Sequence, residues 1–380
     1  RIIGHRQQNG KHTLFLVLDP DRSRCCCFVM LHHCNKEEKG KMKIKGAIAV
    51  GKPTGRIRRI LGRSAIVLGI TLGAVLILFY SAMLIICYGP SPRARDLFVN
   101  TCMETSFAKY FPPLVMSRAR IEEIEAANAL IDNGEVTDSS QDFTNISQDA
   151  AQPDIEIVDV VGSTYKGKMM IVKDPSRVVV GTSSETFSSS TPGKKLDQII
   201  ADAGAVAGTN AGGFVDDGGV GNGGMPLGIV IKDGNLLLGS RSTKETLVGF
   251  DQKNVLHVGT MTAGEALDKG IRDAVSFGPA LIINGNPAEN AGSGGGLNPR
   301  TAIGQRADGS VLLLVIDGRQ PHSLGATHKD LVDIMVQFDA INACNLDGGS
   351  SSMLYYEGEL QNVCSSLYGP RRIPTAILVM

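Results

Sequence analysis

The chain has 380 residues, of which 38 are Lys or Arg and 38 are Asp or Glu, so its formal net charge at pH 7 is +0. Residues 1–63 hold 15 basic against 4 acidic residues, which leaves 23 basic and 34 acidic residues in the body of the chain. This uneven composition argues against the two or three domains that length alone allows. We predict one large folded unit with no nucleic-acid partner.

The basic segment 1–63 is predicted to be cytoplasmic. The chain begins without Met, whereas Met42 and the residues after it resemble a natural start. Residues 1–41 could therefore be non-native, and we leave them out of the predicted fold.

Residues 64–88 are predicted to form one transmembrane helix. The apolar run 65–88 is long enough to cross the roughly 30 Å hydrocarbon core of a lipid bilayer. The arginines before it, between positions 56 and 63, predict a single-pass protein of the cell membrane with a cytoplasmic N-terminus and an extracellular body. A cleaved signal peptide is the alternative, but the run is longer than the usual apolar core and no clear small-x-small cleavage site follows it.

Residues 89–153 are predicted to be a juxtamembrane helix and a linker. Apolar residues recur at helical spacing over 117–131, with Ser117 as a candidate cap, whereas 133–153 is polar, as expected of a flexible linker. From residue 154 the pattern predicts an α+β domain of mostly antiparallel sheet with a few helices, because hairpins outnumber strand-helix-strand units. The predicted elements include hairpins over 227–238, 246–258 and 353–360, a central strand over 311–316 and a helix over 327–338.

The most informative stretch is Ala340 to Met353, AINACNLDGGSSSM. An apolar run of strand length ends at Asp347, and Gly348 and Gly349 then allow a tight turn that can point N–H groups at a ligand. This pattern predicts a carboxylate beside an anion site. An ordinary Asp-Gly-Gly turn is the alternative.

Several other motifs accompany this stretch in a definite order. Asn-Ala-Gly-Gly-Phe occupies 210–214, Asn-Pro-Arg-Thr-Ala-Ile-Gly occupies 298–304, and Asp-Gly-Arg at 317–319 follows the central strand. This order resembles the catalytic domain of the phosphodiester glycosidases over roughly residues 155–380. The resemblance implies a phosphodiester glycosidase-like domain over 154–380.

Chemistry and the resemblance together suggest a set of site residues. Asp317 and Asp347 both follow apolar strands and are the candidate catalytic carboxylates, while Arg300 and Arg319 offer planar guanidinium groups to phosphate. The loop offers backbone and hydroxyl donors. The full set of candidate substrate-binding residues is Asn210, expected at sugar hydroxyls, with Arg300, Thr301, Arg319, Gly348, Gly349, Ser351 and Arg372.

Three positions depart from the family pattern. Gly213 stands where an aromatic residue is expected, Ser350 where a third glycine is usual, and Asp330 where the helix normally carries Glu. The first departure predicts the loss of a sugar-stacking surface, and the other two are conservative.

The predicted reaction is hydrolysis of a sugar-1-phosphodiester at the glycosidic carbon, releasing a GlcNAc-like sugar and a phosphomonoester. The expected substrates are phosphorylated glycans or teichoic-acid-like polymers, or exopolysaccharide, at a bacterial cell wall. No metal or other cofactor is predicted, and calcium at Asp216 and Asp217 is a minor option because the regular ligand spacing is missing. A non-catalytic glycan-binding module and a phosphodiesterase that cuts the P–O bond remain alternatives.

Overall fold

The computed structural model describes the backbone of residues 2–4 and 15–17, and residues 55–380 apart from 132–133, 139, 145–152, 217–220, 291 and 367–368. Chain contacts define two units, Arg1–Phe79 and Tyr80–Met380. In the first, strand β1 (Ile2–Gly4) pairs antiparallel with β2 (Phe15–Val17). Most of the segment 1–41, and Asp217 of the minor calcium option, lie outside the described residues.

The α+β prediction is confirmed: the second unit combines helices with three larger sheets in which every pair of strands is antiparallel. The helices are α1 (Gly55–Tyr88), α2 (Pro92–Met103), α3 (Arg118–Asn128), α4 (Leu196–Ala203), α5 (Ala263–Asp268) and α6 (His328–Gln337).

A seven-stranded sheet positions the candidate site. Its strands, in spatial order, are β14 (Asn286–Pro287), β13 (Ala280–Ile283), β17 (Ala340–Leu346), β15 (Arg300–Arg306), β16 (Val311–Ile316), β4 (Lys166–Val172) and β3 (Ile155–Val161).

Two five-stranded sheets complete the domain, with a small two-stranded ribbon. One sheet has the order β11 (Leu256–Thr262), β10 (Lys244–Asp251), β12 (Ile271–Ser276), β8 (Val230–Lys232) and β9 (Asn235–Leu238). The other has the order β19 (Glu359–Leu360), β18 (Leu354–Tyr356), β7 (Ala207–Asn210), β21 (Thr375–Val379) and β5 (Val178–Thr182). The ribbon pairs β20 (Arg372–Ile373) with β6 (Lys194–Lys195).

The main core lies where the three sheets meet. One face of the seven-stranded sheet contributes Leu313, Val315 and Leu346 to this core, and the other two sheets contribute residues such as Phe250 and Ile377. The opposite face of the seven-stranded sheet packs against α6. Because β16 is buried on both faces, its sequence is a continuous apolar run.

Local sequence signals predicted several elements correctly. The turn of the β8–β9 hairpin falls at Asp233 and Gly234, both with positive φ, as a tight two-residue turn requires. Thr327 caps α6 with the reciprocal hydrogen bonds expected of a capping box with Asp330. Ser117 caps α3 as predicted.

Two of the motifs fall at strand ends, since Arg300 and Thr301 begin β15 and Asn210 ends β7. Other local features were not predicted. The helix α2 was missed because its sequence has mixed polarity. Residues 136–138 of the predicted linker dock on the domain: Thr137 is buried and its hydroxyl donates to Asn342.

The juxtamembrane segment packs against the domain instead of standing apart from it. The Thr101 hydroxyl accepts a hydrogen bond from the Leu297 amide at 2.9 Å, and Asn128 Oδ1 accepts from the Ser293 amide at 2.7 Å. A side chain at Gly296 would meet the Thr101 backbone at 2.3 Å. Helices α2 and α3 therefore hold the loop that leads into β15.

Part of helix α1, Gly62–Tyr88, is long and apolar enough to cross a membrane. Most of its large apolar side chains up to Ile85 are exposed, as expected for a lipid-facing helix or a signal sequence. Its orientation across a membrane remains a prediction.

Candidate active site

A cavity of about 400 Å³ opens at the edge of the seven-stranded sheet where β16 and β17 end. It is lined by Glu104, Ser106, Phe214, Asp216, Phe277, Gly278, Asn298, Arg300, Arg319, His328, Asn345, Asp347, Gly348, Gly349, Ser350, Ser351 and Arg371. The lining is rich in charged groups of both signs.

Strand direction explains why this edge collects the predicted motifs. Both β16 and β17 run antiparallel to the strand between them, β15, so their C-terminal ends lie beside its beginning. Arg300 pairs with Ile316 and Thr301 with Leu346. Asp317 and Asp347 therefore follow strands that end at the same edge.

Asp347 lies in the cavity wall with a half-buried side chain. Its backbone is fixed by the last residue of β7 and the residue after it, because its amide donates to the Ala211 carbonyl at 2.9 Å and its own carbonyl accepts from Asn210 Nδ2. Burial raises the pKa of Asp347 to about 6, although the Ser351 hydroxyl, the Arg371 charge and the Gly348 amide favour the ionised form. A carboxyl with this pKa exchanges its proton near neutral pH.

The glycine loop supports the carboxylate more than it offers open donors. The Gly349 amide donates to the Pro299 carbonyl at 2.8 Å, and the Ser351 amide donates to the Gly348 carbonyl at 3.1 Å. Gly349 has φ of 62°, a conformation that glycine adopts without strain. Gly348, Gly349 and Ser351 thus line the cavity, with most of their donors already engaged.

Arg371 forms a two-pronged ion pair with Asp216. Its Nη1 and Nη2 atoms lie 2.7 and 2.8 Å from the two carboxylate oxygens, and its guanidinium lies 5.0 Å from the Phe214 ring centroid. The Arg371 hydrogen bonds lower the pKa of Asp216. The predicted residue Arg372 is exposed and donates to the Gly193 carbonyl at 3.0 Å, away from the cavity lining.

Arg300 is buried, and its guanidinium nitrogens already have protein partners. Its Nη2 lies 2.5 Å from the Glu104 carboxylate, its Nε donates to the Ala326 carbonyl at 3.0 Å, and its Nη1 lies 2.9 Å from His328 Nε2. Burial and the Arg300 charge hold the pKa of His328 well below its usual range, so this imidazole is neutral and accepts from Arg300.

Glu104 enters the cavity from the residue after α2. Besides Arg300, its carboxylate accepts from the Gly296 amide at 2.8 Å and from Asn298 Nδ2 at 2.9 Å. The segment that precedes the predicted domain therefore contributes an acidic wall to the site.

Arg319 differs from the other two cavity arginines. Its Nη2 donates to Asn298 Oδ1 at 2.9 Å and to the Thr105 hydroxyl at 3.2 Å, and within the described part of the chain no carboxylate forms an ion pair with it. Desolvation by the surrounding protein and the nearby Arg300 charge lower the pKa of Arg319. It also adopts a positive φ of 58°, which is uncommon outside glycine and often marks a functional position. Arg319 is thus the cation best placed to receive an anionic ligand.

Three predicted residues lie beside the cavity rather than in its lining. Asn210 is buried, and its Oδ1 accepts from the Thr301 hydroxyl at 3.0 Å and the Met353 amide at 3.1 Å. Thr301 is likewise buried, in contact with Asn210. Asp317 accepts from the Val363 amide at 2.9 Å and from Asn362 Nδ2 at 3.1 Å, so its carboxylate holds the 362–363 loop.

An aromatic surface is present despite Gly213. A side chain at Gly213 would meet the Phe277 ring at 3.1 Å, so Phe277 occupies the space beside that glycine. Phe277 and Phe214 both line the cavity. The loss of a stacking surface predicted from Gly213 is therefore offset by a ring from another part of the chain.

Sequence reasoning missed several lining residues: Glu104, Phe277, Asn298, Asn345 and Arg371 as the cavity-facing member of the Arg-Arg pair. The sequence has two adjacent arginines, Arg371 just before β20 and Arg372 at its start. This pair carried a signal, since adjacent side chains of an extended chain point to opposite sides. Asn345 lies inside the stretch already singled out. Glu104 has no local signal.

The comparisons with known proteins address this domain directly. Residues 203–380 match the family model described as phosphodiester glycosidase. The resemblance inferred from the sequence motifs is thus confirmed. The matched range contains Arg300, Asp317, Arg319 and Asp347.

Two curated relatives match parts of the chain. An uncharacterized SPbeta prophage-derived protein of Bacillus subtilis (strain 168), YomE, is 32% identical over 200 residues, 50% of this chain and 29% of its own length. The mouse N-acetylglucosamine-1-phosphodiester alpha-N-acetylglucosaminidase is 27% identical over 177 residues, 40% of this chain and 34% of its own length. The chain thus spans about a third of the length of these relatives.

A solved structure has the same fold. It is the catalytic domain of the zebrafish N-acetylglucosamine-1-phosphodiester alpha-N-acetylglucosaminidase, described as auto-inhibited by its pro-peptide. The TM-score is 0.51 at 21% identity, covering 64% of this chain and 87% of that chain.

Proposed function

We propose that the domain hydrolyses a sugar-1-phosphodiester at the glycosidic carbon, releasing a free sugar and a phosphomonoester. The observation that carries this proposal is one cavity that contains Asp347, with its pKa raised to about 6, and Arg319, a guanidinium without a carboxylate partner among the described residues. A carboxylate and an unpaired cation are the groups that the two ends of such a bond require.

In the proposed reaction the bond between the sugar carbon and the phosphate oxygen breaks, and the electron pair leaves with the phosphate. Because a phosphomonoester has a second pKa near 6, the departing oxygen needs little protonation. Arg319 stabilises the charge on the phosphate. A water oxygen bonds to the sugar carbon, and its proton passes to Asp347 or to solvent.

We assign Asp347 the ionised role, as a base for water or as a stabiliser of the positive charge on the sugar carbon. Asp317 was an equal candidate from the sequence. Its Oδ1 accepts both hydrogen bonds from the 362–363 loop, and its Oδ2 lies 3.5 Å from His322 Nε2. We therefore propose that Asp317 holds that loop and that Asn210 and Thr301 hold the backbone of Asp347.

The proposed substrate is a phosphorylated cell-surface glycan, such as a teichoic-acid-like polymer, with a GlcNAc-like sugar. This rests on the activity named for the mouse relative and on the predicted outward orientation of the domain after the apolar helix. A soluble fragment that keeps α2 tests the substrate class with a panel of sugars and acceptors. The absence of a cofactor remains a prediction, tested by turnover in excess chelator.

The zebrafish enzyme is described as auto-inhibited by its pro-peptide. In this chain a Glu104 carboxylate oxygen lies 2.5 Å from Arg300 Nη2 and reduces the positive charge that Arg300 can offer to a phosphate. We infer that the segment around Glu104 limits the binding of anionic substrates.

The test is hydrolysis of a synthetic alpha-GlcNAc-1-phosphodiester in water enriched with heavy oxygen. We expect heavy oxygen on the released sugar and loss of turnover in Asp347→Ala. Heavy oxygen on phosphate would instead establish a phosphodiesterase. Binding without turnover across the sugar panel would establish a glycan-binding module.

A further inference from the structure

Asn345 has an unsatisfied hydrogen-bond acceptor in the cavity wall. It lies on β17, two residues before Asp347, and is 2% exposed. Its side chain lines the cavity, yet its Oδ1 atom has no hydrogen-bond partner among the described residues. Leaving a buried polar atom unpaired costs about 1–3 kcal/mol, so native structures rarely do so without a reason.

The orientation of this amide is fixed by its other end. Asn345 Nδ2 donates to the Gly278 carbonyl at 2.8 Å, and the Asn345 backbone amide donates to the Pro279 carbonyl at 3.0 Å. Rotating the amide by half a turn would place its oxygen against the Gly278 carbonyl oxygen. The Nδ2 contact therefore leaves Oδ1 as the unpaired acceptor of a side chain that lines the cavity.

Three other buried asparagines have side-chain oxygens that accept hydrogen bonds. Asn210 Oδ1 accepts from Thr301 and Met353, and Asn298 Oδ1 accepts from Arg319. Asn342, on the same strand as Asn345, accepts from the Thr137 hydroxyl and the Asn284 amide. The Asn345 oxygen differs from these three oxygens, and among the described residues Asn100 Nδ2 and Ser352 Oγ are also buried without a partner, neither of them in the cavity lining.

We propose that Asn345 Oδ1 accepts a hydrogen bond from an O–H or N–H group on the sugar of the substrate. An amide oxygen has no proton to donate, so it repels phosphate oxygens and selects a neutral donor. Phe277 and Gly278 line the same cavity, and the Gly278 carbonyl is the group that orients Asn345. Asn345 and Phe277 thus mark the sugar side of the cavity, and Arg319 marks the phosphate side. This assignment rests on the proposed function.

The test couples a change in the protein to a change in the sugar. Native protein and Asn345→Ala are compared on an alpha-GlcNAc-1-phosphodiester and on analogues that each lack one ring hydroxyl or the acetamido N–H. We expect one analogue to lower kcat/KM of the native protein about 10- to 100-fold, because the oxygen then stays unpaired. In Asn345→Ala, kcat/KM on the full substrate should fall by a similar factor, and kcat/KM on that analogue should be close to the value that the native protein has on the same analogue.

A matched control is Asn342→Ala, which removes a buried amide from the same strand outside the cavity lining. It should lower stability without changing the ranking of the analogues. If every analogue loses the same factor in native protein and Asn345→Ala, the proposal for Asn345 is wrong.

Binding of GlcNAc and its deoxy analogues, measured by calorimetry, separates this proposal from the proposed function. Discrimination by native protein that Asn345→Ala abolishes supports the Asn345 contact even if no hydrolysis occurs. Hydrolysis with no coupling at Asn345 supports the reaction and overturns the contact. If the native protein shows no turnover and no discrimination among the analogues, both the proposed function and the Asn345 contact are wrong.

Discussion

Asp317 and Asp347 follow two strands of the same sheet, end at the same edge and lie on either side of β15, yet their surroundings differ. Asp317 is 6% exposed and accepts hydrogen bonds from the backbone and side chain of the 362–363 loop. Asp347 faces the cavity, and burial raises its pKa to about 6. The end of a strand thus fixes the position of the aspartate in the sheet, whereas the groups around its carboxylate decide whether that carboxylate is structural or reactive.

The cavity arginines show the same contrast. Arg300 and Arg371 are held by Glu104 and Asp216, whereas no carboxylate in the described residues pairs with Arg319. Three guanidinium groups of identical chemistry therefore have different capacities for an added anion. The following predictions test these two contrasts.

The largest expected effect separates the two aspartates. Asp347→Asn should lower kcat by about 10³-fold or more, because it removes the group that acts at the sugar carbon. Asp317→Asn, which keeps an acceptor for the 362–363 loop, should lower kcat less than about 10-fold. Steady-state kinetics on the phosphodiester measures both, and a larger loss in Asp317→Asn would reverse the assignment.

The arginine contrast predicts the next effect. Arg319→Gln should raise KM for the phosphodiester about 10- to 100-fold, since a hydrogen-bonded charge contributes about 1.5–3 kcal/mol. The matched control Arg372→Gln removes an exposed arginine bound to the Gly193 carbonyl and should leave KM within about twofold. Equal effects in the two variants would remove Arg319 from the phosphate site.

The raised pKa of Asp347 predicts that both the activity and the free energy of unfolding depend on pH. If the ionised form is active, kcat/KM should fall about tenfold per pH unit below pH 6. Since the folded pKa lies above the unfolded value of about 3.9, the stability contributed by the neutral carboxyl is complete below pH 4 and is lost as pH rises through about 6.

Asp347→Asn is neutral at every pH and should therefore be about 1–3 kcal/mol more stable than the native protein above pH 7. Denaturant titrations at pH 4 and pH 8 measure this difference, which should vanish at the lower pH. A fall in kcat/KM above pH 6 instead of below it would make Asp347 the general acid.

The smallest expected effect concerns Glu104. Glu104→Gln removes a negative charge from the cavity but keeps the shape of the side chain, so KM for the anionic substrate should fall about two- to fivefold. The control Glu122→Gln, exposed on α3, should leave KM unchanged. A rise in KM in Glu104→Gln would show that the carboxylate positions Arg300 instead of weakening it.

Much of the site was predictable because its motifs are short and local. The Asp-Gly-Gly loop, the Asp-Gly-Arg turn and the cap of α6 each lie within a few residues, where backbone geometry restricts the choices. Arg371 was one residue away from the predicted Arg372, because the side on which an arginine points depends on the β20–β6 pairing. Phe277 and Asn345 needed the sheet register to bring 277–279 beside 344–345.

The sequence by itself determined the antiparallel α+β class, the strand ends that carry Asp317 and Asp347, and the apolar helix before the domain. These follow from periodicity and turn chemistry, which act over a few residues. Only the tertiary structure decided which carboxylate faces the cavity, that Glu104 lies on Arg300 from 196 positions earlier in the chain, and that the Asn345 oxygen stays unpaired. Burial and hydrogen bonding in a cavity depend on residues far apart in sequence. The surroundings of each side chain are therefore set only when the sheets and helices have packed.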